Sequence, residues 1–152
     1  MRLCFLLAKD PTTEHVGDTA MMNVLLDLAR AAHDVSVICW SHRPELGGQD
    51  GLVRLAKPPV APLSLAPRAA ARRRSLLHTR YDHPDLRAAI DASAADGFVA
   101  VHHYMAEPFL RSARREAPLY VVNVVPEGPM WSRTRGWVGK LQATAIGRDE
   151  KR

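Results

Sequence analysis

The chain has only two cysteines among its 152 residues, Cys4 and Cys39, and no CxxC pair. That excludes a disulfide framework and a thiolate zinc cluster, since each needs several closely placed thiols. Both cysteines lie in apolar runs and read as buried free thiols of a reducing cytoplasm. No apolar run approaches the ~20 residues of a membrane-spanning helix. The opening run, Leu3 to Ala8, meets Lys9 and Asp10 at once, so it is too short for a signal-peptide core of about 7–15 residues and reads as a buried strand. Acidic residues are missing altogether from Leu52 to Tyr81. No GxGxxG, P-loop, GxSxG or HExxH pattern occurs, which removes the sequence signatures of dinucleotide binding, phosphate-loop chemistry, the serine-hydrolase elbow and the zinc peptidases.

What is present is apolar and basic. Hydrophobic residues make up 47% of the chain and the net charge is +5, so a folded core with anionic partners is expected rather than disorder. A chain of this length fits a single domain.

The apolar pattern alternates between strand and helix. Leu3 to Ala8 is a strand, Lys9 to Gly17 a loop, and Thr19 to Ala32 a helix with Met22, Leu25, Leu26 and Ala29 on one face, which Asp18 is placed to cap. Val35 to Trp40 follows as a strand, completing a βαβ unit with a right-handed crossover. Arg43 to Gly51 is a glycine-rich loop, Leu52 to Ala56 a short strand, and Lys57 to Pro67, with four prolines, is irregular. Arg68 to Arg80 is a short basic helix, Asp85 to Ala95 a helix, Phe98 to His102 a strand and Glu107 to Glu116 a helix. Leu119 to Val125 carries the strongest strand signal, and Trp131 to Ile146 a weak basic helix. The alternation predicts an α/β fold, a Rossmann-like doubly wound parallel sheet in one domain spanning residues 1–136, with 137–152 as a basic helical and charged tail. Ligands of such sheets bind at the carboxyl ends of the strands, so the loops after Ala8, Trp40, His102 and Val125 are the ones that matter.

Three features on those loops, and one basic segment between Leu52 and Tyr81, carry chemistry. Gly17 and Asp18 open the first helix, where free backbone N–H groups attract phosphate; a lone glycine before a helix is more often a tight turn. His102, His103 and Tyr104 end a strand and can orient a polar ligand or transfer a proton. His103 and Glu107 lie four apart, but no third ligand stands at zinc spacing, so no metal is expected. Glu127, in a Pro-Glu-Gly turn, either accepts hydrogen bonds from sugar hydroxyls or is a solvated turn residue. Arg68, Arg72, Arg73 and Arg74, flanked by leucines, form an amphipathic basic segment suited to an anionic membrane surface; a solvated face or a protein partner is the plainer reading. Nucleic acid is not expected, because aromatics do not interleave the arginines.

The order of these features resembles the N-terminal domain of family 4-type glycosyltransferases of the GT-B fold. The resemblance runs from Met1 to about Gly136 through MRLCFLLAKD, the Leu25 to Val37 stretch, FVAVHHYM and APLYVVNVVPEG. It implies one half of a GT-B enzyme that moves a sugar, of the hexosyl type, from a nucleotide-sugar to an acceptor. It implies that this half holds the acceptor, with Gly17 and Asp18 beside the donor phosphates or acceptor and His102, His103 and Tyr104 near the cleft. The implied partners are a nucleotide-sugar, an acceptor and a C-terminal GT-B domain or second subunit; no further cofactor is implied. Some members use a basic segment to sit at the inner face of the membrane, which directs attention to Arg72, Arg73 and Arg74. Asn123, Val124 and Val125 stand where the family often has a histidine, and Gly17 alone where it often has paired glycines. Two other functions fit the residues alone: a basic adaptor docking on membrane or protein, and a stand-alone nucleotide-binding domain.

Overall fold

A computed structural model describes residues 1–14, 17–49, 51–123 and 136–149. The predicted βαβ unit forms from β1 (Arg2–Leu7), α1 (Gly17–Arg30) and β2 (Asp34–Ser41). A 3-10 turn, Pro44–Leu46, leads to β3 (Leu52–Ala56). Helices α2 (Pro62–Arg72), α3 (Leu76–Tyr81) and α4 (Pro84–Ala92) precede β4 (Gly97–Val101). A 3-10 turn, His103–Met105, and the short α5 (Ala106–Leu110) follow, then β5 (Leu119–Val122) and α6 (Gly136–Asp149).

The five strands form one sheet in the order β3-β2-β1-β4-β5, and every pairing is parallel. This is the Rossmann-like α/β fold that the alternation predicts. Strand order reverses between β1 and β4, a topology that in such sheets places the ligand crevice at the carboxyl ends of those strands. Alternate side chains of each strand face opposite layers. Cys4, Leu6, Ile38, Trp40, Phe98 and Ala100 pack on Leu86 and Ile90 of α4 and on Phe109 of α5. Leu3, Phe5, Leu7, Val37, Cys39, Val99 and Val101 pack on Met22 and Leu26 of α1. Burial on both faces explains why β1 reads as an unbroken apolar run, and each large side chain so buried contributes roughly 1.5–3 kcal/mol.

The departures from the sequence reading have local causes. The proline-rich segment is not all irregular. Pro62 begins α2 and Pro67 lies inside it. Pro67 cannot donate to the carbonyl of Leu63, but Leu63 is 94% exposed, so water can serve that oxygen. The basic helix expected over Arg68 to Arg80 is two helices. Arg73 takes a left-handed φ of 51° and ends α2, and the Ser75 hydroxyl accepts from the N–H of His78 to start α3. The helix expected over Glu107 to Glu116 stops at Leu110, where the Ser112 hydroxyl donates to the carbonyl of Phe109 at 2.7 Å. Asp18 lies inside the first turn of α1 rather than ahead of it. Val124, Val125 and Trp131 lie outside the described residues.

Candidate functional site at the carboxyl ends of the strands

The loop after β1 is pinned by a buried carboxylate. Asp10 accepts from the Thr12 N–H at 2.9 Å, the Thr12 hydroxyl at 2.8 Å, the Ser41 hydroxyl at 2.9 Å and Arg54 Nε at 2.8 Å. Arg54 Nη1 also donates to the carbonyl of Gly47 at 2.7 Å, and Nη2 to the Thr12 hydroxyl at 2.9 Å. Burial alone would raise the Asp10 carboxyl, but the bonds from Thr12, Arg54 and Ser41 outweigh it and hold the group well below the ordinary carboxylate range. Beside it, Lys57 Nζ meets Glu14 Oε2 at 2.8 Å. With its donors satisfied, this network fixes the loop that leads to α1.

Across the switch point, β4 delivers His102 to the adjoining strand end, because Leu6 of β1 pairs with Ala100 of β4. The His102 backbone adopts φ 75° and ψ 140°, a conformation that L side chains rarely take. It is held there by two hydrogen bonds. Its N–H donates to the carbonyl of Val122 at 2.8 Å, and its carbonyl accepts from the N–H of Met105 at 3.0 Å. The next residue is anchored as well, since the His103 N–H donates to Asn123 Oδ1 at 3.0 Å.

The rings continue inward as a stack. His102 lies on Tyr104 with centroids 5.2 Å apart and planes 7° apart, and Tyr104 lies on Tyr81 at 4.9 Å. His103 lies 4.7 Å from the ring of His78 and meets Tyr104 edge-on at 5.5 Å. The structure therefore brings His102, His103 and Tyr104 together in one turn at the switch point, with His102 and Tyr104 buried and His103 half-buried. Gly17 and Asp18 start the fourteen-residue α1, whose N-terminus follows the carboxyl end of the neighbouring strand. His15, Val16 and Glu127 lie outside the described residues.

The arginines expected to form one basic face have divided roles. Arg68 and Arg73 are exposed. Arg72 bonds the buried carboxylate of Asp82, which Arg111 Nη1 also reaches at 3.1 Å and Arg87 Nε approaches at 3.8 Å. Arg74 bridges Glu107 at 3.0 Å and Asp149 at 3.4 Å. His78 Nδ1 lies 3.1 Å from Asp149 Oδ2. Burial lowers the His78 imidazole to about 4, with His103 and Arg74 acting in the same sense against Asp149. Asp149 also accepts from the Ser75 N–H at 2.8 Å, and Gln142 Oε1 from the Leu76 N–H at 3.1 Å. These bonds fasten α6, in the segment read as a tail, onto α3.

Sequence reasoning did not single out Asp10, Ser41, Arg54, His78 or Asp82. A signal existed for the first three. Asp10 and Ser41 follow apolar strands, and Arg54 is one charge inside the strand LVRLA. His78 and Asp82 gained meaning only from partners distant in sequence.

A cavity of about 560 Å³ lies at the opposite, amino end of the sheet, lined by Cys4, Ser36, Ile38, Val53, Ala89 and Ala92 among others. Its wall is mostly apolar, with Arg2, Asp34, Ser36, Gln49 and Ser93 as its polar members. Among the described residues, no three or more His, Cys, Asp or Glu side chains are arranged to hold a metal ion. No helix among them is long and apolar enough to cross a membrane. No protein-family model matches the chain, and no curated protein matches its sequence.

Proposed function

We propose that this chain is the acceptor-side domain of a glycosyltransferase and binds a polar substrate where β1 and β4 part. The observation that carries the reading is His102. A non-glycine residue at φ 75° costs on the order of 1–3 kcal/mol, and such strain clusters at ligand sites. Here it occurs beside His103, a half-buried residue whose imidazole can exchange hydrogen bonds with hydroxyl groups. The start of α1 at the same crevice supplies backbone N–H groups and the positive end of a helix dipole for a phosphate-bearing substrate. Strand order and the resemblance of FVAVHHYM and the first βαβ unit to the GT-B family agree with this reading.

The chemistry needs a second half. Transfer from a nucleotide-sugar requires groups that hold the leaving diphosphate and its developing charge. Those come from a C-terminal domain or second subunit, and this chain contributes the acceptor and one wall of the cleft. Work in the cytoplasm accords with Cys4 and Cys39 as buried thiols, the latter pushed up to about 12 chiefly by burial.

The test is a backbone-amide NMR titration with UDP-glucose, GDP-mannose and a polyol acceptor such as inositol. Saturable shifts at residues 17–20 and 101–105, weakened at least tenfold by His102→Ala, are expected. Absence of shifts at millimolar ligand, or shifts confined to the amino-end cavity, would overturn the reading. Binding of nucleotide alone, with no effect of the polyol, would favour a stand-alone nucleotide-binding domain.

A further inference from the structure

We infer that Arg72, Arg87 and Arg111 form a second binding site, for a phosphate-class dianion, on the outer surface of the helical layer. The three arginines come from separate elements: the end of α2, the first turn of α4 and the residue after α5. They converge on Asp82, whose side chain is 2% exposed, while theirs are 35%, 33% and 38% exposed. The carboxylate lies inside and the guanidinium groups face out. Arg72 is held through Nη1, Arg111 through Nη1 to Asp82 and Nη2 to Glu107 at 2.8 Å, and Arg87 only approaches the carboxylate, so the Nη groups of Arg87 and the second Nη of Arg72 are the ones left for a ligand. Arginine forks match the oxygen spacing of a phosphate and bind it in pairs.

Two further observations favour an anion. Charge does not balance in the cluster among the described residues: Arg72, Arg74, Arg87 and Arg111 face Asp82, Glu107 and Asp149, and the buried His78 is neutral near pH 7. The donors are also incompletely used. Arg87 Nε and Asp82 Oδ1 are both buried and without a hydrogen-bond partner among the described residues, because the 3.8 Å between them is too long for one. Asp82 therefore positions the arginines but does not saturate them. This site needs no residue of the β1–β4 crevice and stands or falls apart from the glycosyltransferase reading.

A free phosphate ester and a phosphatidate headgroup share this chemistry. The experiment titrates inorganic phosphate into the protein at constant ionic strength and follows the arginine Nε–Hε signals by NMR. Saturable movement of the Arg72, Arg87 and Arg111 signals is expected, as is at least a tenfold rise in Kd for Arg87→Gln. That variant removes the arginine least bonded to Asp82, and Arg111→Lys, which keeps the charge and loses the fork, gives a second comparison. Sedimentation with vesicles containing phosphatidate but not with phosphatidylcholine alone, lost in Arg87→Gln, would assign the lipid source. No sedimentation alongside saturable phosphate binding would assign a soluble ester. The inference is overturned if none of the three signals moves in the native protein, or if Arg87→Gln binds phosphate unchanged.

Discussion

Asp10 and Arg54, forty-four positions apart, meet at 2.8 Å with both side chains almost wholly withdrawn from water. Removing one partner strands the other charge inside the protein. Arg54→Met should therefore cost about 3–5 kcal/mol, read as a fall in the urea midpoint. The double variant Asp10→Asn/Arg54→Met should recover part of the loss, because no uncompensated charge remains.

The same pair sets the response to acid. The Asp10 carboxyl is lowered in the folded state, so the unfolded chain takes up its proton first as pH falls. Its contribution is fully present above the unfolded value of about 3.8 and is lost as pH drops from there toward the folded value. Acid unfolding should steepen below pH ~4, and Asp10→Asn should flatten that limb. Circular dichroism between pH 5 and pH 2 reads the difference.

His78 acts in a higher window. Folded, it accepts a proton only near 4, while the unfolded chain does so at the ordinary 6.5. The unfolded state binds more protons between those values, so stability falls as pH falls through the window, by at most ~1.4 kcal/mol per pH unit. Urea midpoints at pH 7, 6 and 5 should converge between the native protein and His78→Gln as pH drops, because only the native protein loses this contribution. A constant offset would contradict the assignment.

The strain at His102 can be separated from its ring. His102→Ala and His102→Gly both remove the stacking on Tyr104, and only glycine relaxes a φ of 75°. The glycine variant should be the more stable of the two by about 1 kcal/mol, read as its higher melting temperature.

Asp149 fastens α6. Losing its bonds to the Ser75 N–H, Arg74 and His78 should cost about 1–3 kcal/mol in Asp149→Ala. Hydrogen exchange over residues 140–149 should speed up more than exchange in the sheet.

The strands and α1 were legible because their apolar periods are long and uninterrupted. β3 was found at its observed bounds, and β1 and β2 within a residue at each end. The helices after β3 were harder. Pro67 argues against helix by its chemistry, and only the exposure of Leu63 makes it tolerable. The turn His102-His103-Tyr104 was visible as polar residues ending a strand, but its left-handed backbone was not, since histidine gives no sign of φ. The basic stretch from Arg68 to Arg74 misleads for a physical reason. A segment without acidic residues looks like a surface for anions, yet Asp82, Glu107 and Asp149 arrive from later in the chain and take up Arg72 and Arg74.

Arg54 also guards the rim of the sheet. β3 is an edge strand, and an edge offers unpaired backbone groups to any other extended chain. A slip of one residue against β2 would exchange the two faces of β3 and drive the guanidinium from its carboxylate into the layer that Leu55 helps to pack. One inward-pointing charge thus singles out one register from its neighbours, and makes the misaligned pairings that lead to aggregation expensive.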